Sequence, residues 1–294
     1  MTTYLNSFLT IGKKVRVLVL LVIVVGTSNA LSEDISIEAD VVYGHKAGMA
    51  LTYDVLVPQN AHGGGVLFMV SGGWFSIWRP PQQFANWIGY LLDEGFTVFP
   101  VRHGSAPWFK VPEAVDDVRR AVRHIRMNAD SYGVDPERLG VMGGSAGGHL
   151  SLMLGLQSDS GDAESDDPVA KVASHVAAVV AYFPPTDLRG MAGPSDRFPA
   201  LDFQESLEPS VSPLLFVTED DPPVLLIHGD EDQLVPIKHS YQLRDAMDEL
   251  ELDVSLHVIE GAAHGFRGEH QATAQQLTVA HFAKHLSSNE LSEH

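Results

Sequence analysis

The stretch LGVMGGSAGGHL, residues 139–150, carries an apolar strand-like run, Leu139 to Met142, directly into Gly143-Gly144-Ser145-Ala146-Gly147-Gly148 and a helix reading Gly147 to Leu156. Gly-x-Ser-x-Gly at a strand-to-helix junction is the setting in which that motif builds a nucleophile elbow, a sharp turn with the serine exposed at its tip. Such a turn strains the serine backbone, and strand and helix meet closely only where the neighbouring residues are small. Glycines stand on both sides of Ser145. At the helix start its hydroxyl meets the positive end of the dipole, and the amide of Ala146 points to where an oxyanion would form. Taken alone, the pattern also fits a glycine-rich turn whose serine caps a helix.

Outward from this junction the chain reads as alternating strands and helices. Ala50 to Val57 alternates like a strand and ends at Pro58, and Val66 to Val70 is an all-apolar run of the kind a buried strand shows. Gln82 to Asp93 reads as a helix, Thr97 to Val101 as a buried strand, and Glu113 to Met127 as an amphipathic helix with Val115, Val118, Val122 and Ile125 on one stripe. Beyond the serine, strands are expected at His175 to Tyr182, Pro223 to Ile227 and Val254 to Ile259, and helices at Ile237 to Leu250 and His270 to Leu286. This alternation predicts an α/β fold with a mostly parallel sheet covered on both faces. The roughly forty residues at 183–222, rich in proline, exceed an ordinary connection and predict a small cap over a site. Gln157 to Pro168, with five acidic residues, reads as a solvated surface loop, since its spacing does not fit the order of ligands in an EF-hand.

The 294 residues comprise 45% apolar and 19% charged side chains, enough to bury a real core. Nineteen basic residues against 38 acidic ones give a formal charge of -19, which repels phosphate backbones and makes nucleic acid an unfavourable partner. Cysteine is absent, which excludes disulfides, a thiol nucleophile and thiolate zinc sites. At the start of the chain Lys13, Lys14 and Arg16 precede an apolar run from Val17 to Val25 and then Ser28-Asn29-Ala30, the form of a secretory signal with cleavage near Ala30. That run is too short for a stable membrane span. The expected organisation is a signal peptide at 1–30 and one domain at 31–294, exported to the periplasm or beyond the cell.

A serine at its free pKa is a weak nucleophile and needs a histidine base oriented by a carboxylate. His264, within Gly261-Ala262-Ala263-His264-Gly265-Phe266, follows a strand in a glycine-flanked loop, where an open parallel sheet assembles its ligand site. His228-Gly229-Asp230-Glu231-Asp232 offers three carboxylates after the preceding strand. Asp232 is taken as the partner, Asp230 and Glu231 as surface or capping groups, and His228 as structural. After the strand ending at Val70 comes Ser71-Gly72-Gly73-Trp74-Phe75, whose Gly73 and Trp74 amides, with that of Ala146, are expected to form the oxyanion hole. Trp74, Phe75 and Trp78 are candidates for the wall of an acyl or sugar pocket, though such aromatics also serve as ordinary core.

These stretches, together with Val101-Arg102-His103 and Tyr132-Gly133-Val134-Asp135-Pro136-Glu137-Arg138, resemble the α/β-hydrolase superfamily. The similarity is to secreted carbohydrate and feruloyl esterases and the wider hormone-sensitive-lipase-like group. The resemblance covers nearly the whole of 31–294 and implies an α/β-hydrolase fold and a serine carboxylic ester hydrolase with Ser145, Asp232 and His264 as its triad. Where such enzymes have His-Gly-Gly, this chain has Ser71-Gly72-Gly73, so a different support for that loop is expected. Arg102, Asp116 and Asp117 occupy stretches that in such enzymes hold the framework by ion pairing, and His149 is read as packed rather than reactive. The last third also resembles the catalytic domain of prolyl-oligopeptidase-like peptidases. Those commonly carry a large accessory domain for which this length leaves no room, and the Gly-Gly-Trp loop favours an esterase. A non-catalytic binding protein on the same fold is the remaining alternative. The implied partner is a small-molecule or polysaccharide ester. No cofactor or metal is implied, because the chain supplies nucleophile, base and oxyanion donors.

Overall fold

In the computed structural model, residues 35–287 are described, so the expected signal peptide lies outside them. Eight strands, β1 (Ile35–Lys46), β2 (Met49–Pro58), β3 (Gly65–Met69), β4 (Thr97–Val101), β5 (Leu139–Gly144), β6 (Ala178–Tyr182), β7 (Val224–Gly229) and β8 (Val254–Ile259), form one sheet. Their order is β1-β2-β4-β3-β5-β6-β7-β8. The β1–β2 and β2–β4 pairs are antiparallel, and every pair from β4 to β8 is parallel. A parallel sheet must be covered on both faces because crossover helices lie on each.

The pleat divides the core accordingly. In β3, Leu67 and Met69 pack with α3 (Val111–Met127), α4 (Ala146–Leu156) and α5 (Lys238–Asp248), whereas Val66 faces α1 (Pro81–Trp87), α2 (Gly89–Asp93) and α6 (Glu269–Leu286). The expected valine stripe of α3 is buried against the first of these clusters, with Val118, Val122 and Ile125 wholly covered. On the other face Phe282 of α6 is fully buried, worth roughly 2–3 kcal/mol over leaving that ring in water.

Two elements depart from the sequence reading. β1 was not anticipated, because as an edge strand it alternates covered and exposed positions, carries register shifts and has no continuous apolar run. The helix expected at Gln82 to Asp93 is two short ones broken at Ile88, with Gly89, a poor helix former, at the break. The residues at 183–222 contain three short 3-10 turns, Pro199–Leu201, Glu205–Val211 and Pro213–Phe216, and send Leu188, Ala200, Leu201 and Val211 into the core. Lys110 Nζ donates to the Pro199 carbonyl at 2.8 Å, fastening this segment to the start of α3. Among the described residues no helix is long and apolar enough to cross a membrane.

Candidate active site

The carboxyl ends of β3, β5, β7 and β8 point the same way, so the loops that follow them meet at one edge of the sheet. Ser145, between β5 and α4, has φ 54° and ψ -119°, a left-handed backbone that a non-glycine residue holds only under constraint. The constraints are visible. Ser145 N donates to the Tyr182 carbonyl at 2.8 Å, and His149 N donates to the Ser145 carbonyl at 2.9 Å. A β-carbon on Gly143 would stand 2.5 Å from the backbone of Gly147, so the strand-to-helix turn closes only with glycine there.

His264 Nδ1 donates to Asp232 Oδ2 at 2.6 Å, and Asp232 Oδ1 accepts from the amides of Leu234 and Val235, both at 2.9 Å. With its side chain buried and its oxygens so occupied, Asp232 is held in place and fixes the imidazole with Nε2 free to accept a proton. Of the three expected carboxylates, Asp232 is therefore the one that reaches His264. Asp230 braces the same loop differently, accepting from Gly261 N at 2.7 Å. Glu231 contributes its amide, which donates to the Ala262 carbonyl at 3.1 Å. Gly229 permits this meeting of loops, since a β-carbon there would overlap the Ala262 carbonyl. His228 is buried between Ser240 Oγ (2.7 Å) and the Val235 carbonyl (2.8 Å), as a structural group; burial holds its pKa below the usual histidine value. Ser145 Oγ makes no hydrogen bond to a described residue. The serine and histidine loops instead face each other across a cavity lined by both Gly144 and Gly265. A hydroxyl–imidazole bond of this kind commonly tightens only around substrate.

The segment expected to supply the oxyanion donors is a tight turn. Gly72 and Phe75 exchange two backbone hydrogen bonds at 3.0 Å, and Gly73 and Trp74 between them both have positive φ, 57° and 59°. The amides of Gly73 and Trp74 are left without an acceptor among the described residues, as donors for an incoming oxyanion must be. Ser71, where the resemblance suggests a histidine, finds one elsewhere: Ser71 Oγ donates to His103 Nε2 at 2.9 Å, while His103 Nδ1 donates to the Gly104 carbonyl. His103 is buried and neutral, its pKa lowered to about 4 by desolvation. Ser76 Oγ adds a bond to the Val70 carbonyl and receives one from His103 N.

Two cavities of about 500 and 420 Å³ open on the site and share Phe68, Trp87, Gly144 and Phe183. Of the three expected wall aromatics, Phe75 lines the smaller one. Trp74 does not: its side chain is only 4% exposed and its indole N–H donates to His149, because the left-handed turn aims it into the core. Trp78 is 55% exposed and donates to Asp40 away from both cavities. Six further lining aromatics were not anticipated: Phe68, Trp87, Tyr90, Tyr182, Phe183 and Phe266. Trp87, half exposed at the end of α1, lines both cavities, and the Phe183 ring lies tilted with its centroid 4.6 Å from that of His264, on a backbone with a positive φ of 37°. Phe183 directly follows the strand neighbouring β5, a position that could have flagged it. Trp87 lies on the outer face of α1 with Gln82, Gln83 and Asn86, where an aromatic gives no local signal of a site. Apart from Phe183, no residue of 183–222 lines either cavity. Among the described residues no three His, Asp or Glu side chains are gathered to hold a metal ion.

Residues 53–247 match the BD-FAE family model. Esterase LipC of Mycobacterium tuberculosis is 30% identical over 217 residues, covering 68% of this chain and 52% of LipC. A solved truncated carbohydrate esterase from gut microbiota is 26% identical, with a TM-score of 0.69 over 85% of this chain and 97% of its own. The propionate-bound esterase Est2 of Thermogutta terrifontis is 26% identical, with a TM-score of 0.70 over 86% and 94% of the two chains. The fold is thus the α/β-hydrolase fold, and the chain spans about half the length of LipC and of similar mycobacterial relatives.

Proposed function

We propose that this chain, which belongs to the BD-FAE family, is a serine carboxylic ester hydrolase. Ser145 Oγ attacks the ester carbonyl as His264 Nε2 takes its proton. Asp232 holds the imidazole in the required tautomer and stabilises its charged form. The amides of Gly73, Trp74 and Ala146 receive the developing oxyanion, each such donor being worth roughly 3 kcal/mol of barrier. His264 then protonates the leaving alcohol, and water, activated by the same imidazole, releases the acid and regenerates the serine. The observation that carries this reading is the 2.6 Å His264–Asp232 bond, in a loop that shares a cavity with the strained serine turn.

The substrate is read as a short acyl ester or an acetylated or feruloylated carbohydrate. The carbohydrate-esterase and propionate-bound relatives support that class. Export with cleavage near Ala30 completes the reading and rests on the basic and apolar pattern of residues 13–30. Hydrolysis of 4-nitrophenyl acetate tests the mechanism: Ser145→Ala is expected to lower kcat by up to roughly six orders of magnitude, and equal rates for the two proteins would sink it. A panel of acetyl, butyryl, octanoyl and feruloyl esters with acetylated xylan is expected to rank acetyl highest.

A further inference from the structure

The chain carries twice as many acidic as basic residues, yet among the residues lining the two cavities the only formally charged one is Arg79. It follows the oxyanion turn closely in sequence and lines the same 420 Å³ cavity as Ser71, Gly72, Phe75 and Gly144. Its guanidinium lies over the Trp87 indole at 5.3 Å, a cation–π contact that presents the group without neutralising it. No carboxylate pairs with it among the described residues, whereas Arg119, Arg120, Arg123 and Arg126 of α3 each hold one. An unpaired guanidinium at the exposed rim of an otherwise uncharged cavity, within a molecule of net negative charge, is a place at this edge where a carboxylate is welcome. Its planar fork suits a carboxylate in bidentate fashion.

We infer that Arg79 selects esters bearing a free carboxylate, the guanidinium stacked on Trp87 pairing with that anion in the cavity beside the oxyanion turn. This rests on the ester-hydrolase reading and narrows its substrate class to half-esters of dicarboxylic acids or esters of carboxylate-bearing alcohols, including acylated acidic sugars. In both the ligand is the same, a carboxylate a few bonds from the scissile carbonyl; they differ in which side of the ester carries it.

Matched pairs separate the two sources. Monoethyl glutarate against ethyl pentanoate places the charge on the acyl side, and 4-acetoxybutanoate against butyl acetate places it on the alcohol side. In at least one pair the wild type is expected to favour the anionic member several-fold in kcat/KM. Arg79→Gln is expected to cut that ratio at least fivefold, chiefly through KM; Arg79→Lys retains part of it, and 0.5 M salt erodes it. Lys238→Gln, on the exposed first turn of α5, controls for net charge and leaves ratio and rate unchanged. Ratios equal in wild type and Arg79→Gln for both pairs overturn the inference. The ester-hydrolase reading then stands if 4-nitrophenyl acetate is still hydrolysed in a Ser145-dependent way, and falls only if Ser145→Ala matches wild type. Calorimetric binding of monoethyl glutarate and 4-acetoxybutanoate to Ser145→Ala, with and without Arg79→Gln, reads the same contact without turnover. Affinity lost with Arg79 supports the inference, and affinity for both ligands independent of Arg79 overturns it.

Discussion

A single buried imidazole joins three parts of the site. The Trp74 indole N–H donates to His149 Nδ1 at 3.3 Å, and His149 Nε2–H donates to the Val211 carbonyl at 2.8 Å. The oxyanion turn, the helix behind Ser145 and the long segment after β6 are thereby tied at one point. Both bonds require the neutral Nε2–H tautomer, and complete burial, which lowers the pKa to about 4, maintains it. Trp74 holds a left-handed backbone that costs roughly 1–3 kcal/mol, and its indole anchor is one of the contacts that hold the turn, beside the Gly72–Phe75 backbone bonds and the His103–Ser71 bond. His149→Leu, which leaves a buried N–H and a carbonyl unpaired, is expected to lower kcat on 4-nitrophenyl acetate about tenfold or more with little change in KM. His149→Gln, which can serve as donor and acceptor, is expected to restore most of it. Equal kcat for Leu and Gln variants would show that the turn does not depend on this bond. The reading of His149 as packed rather than reactive agrees with its burial, but its two partners lie 75 and 62 residues away and no local pattern marks them.

At the level of elements, ion pairs join the antiparallel edge to the parallel core. Arg102, just beyond β4, donates to both carboxylate oxygens of Asp54 in β2 at 2.7 and 2.8 Å, and to Asp40 in β1 at 2.9 Å. The next residue, His103, is the one that holds Ser71, so the placement of the oxyanion turn begins at this pair. Asp54 is wholly buried, and removing its partner leaves a charge in the interior. Arg102→Ala is expected to cost roughly 3–5 kcal/mol in chemical denaturation, and Arg102→Leu with Asp54→Leu considerably less. A loss below about 1 kcal/mol for Arg102→Ala would contradict this account. Asp117 plays a similar part for the following loop, pairing with Lys46 and accepting from Gly104 N at 2.8 Å; burial raises its pKa despite the lysine. Asp116, by contrast, reaches only Arg119 at 3.5 Å on the surface. The acidic stretch read as a solvated surface loop is largely exposed, and two of its carboxylates dock on α3, Asp159 on Arg123 and Asp167 on Arg120. Sequence composition marked these residues as charged; their partners came from elements far along the chain.

For the whole molecule, the two histidines that brace the oxyanion turn predict how stability varies with pH. His103 and His149 are nearly or fully buried, and both have pKa values lowered to about 4 by desolvation. The unfolded chain binds their protons near pH 6.5, the folded chain only near 4. Their stabilising effect is therefore complete above about 6.5 and is lost as pH falls toward 4, by roughly 3 kcal/mol for each group. Denaturant unfolding at pH 8, 6, 5 and 4 is expected to show this decline, and His149→Gln to flatten part of it; a constant free energy from pH 7 to 4 would refute it. The same distinction between local and distant causes separates what could be read from the chain and what could not. The alternation of apolar runs, the glycine-flanked serine after Met142 and the glycine-flanked histidine after Ile259 prescribe a parallel sheet with a site at its carboxyl edge, because strand period, helix stripe and tight turns are set by neighbouring residues. The edge strand β1, the break at Ile88, the inward turn of Trp74 and the partners of Ser71, Arg102 and His149 were decided only on packing. Each depends on desolvation and on donors and acceptors brought together across tens of residues, and no short-range pattern encodes which of them will meet.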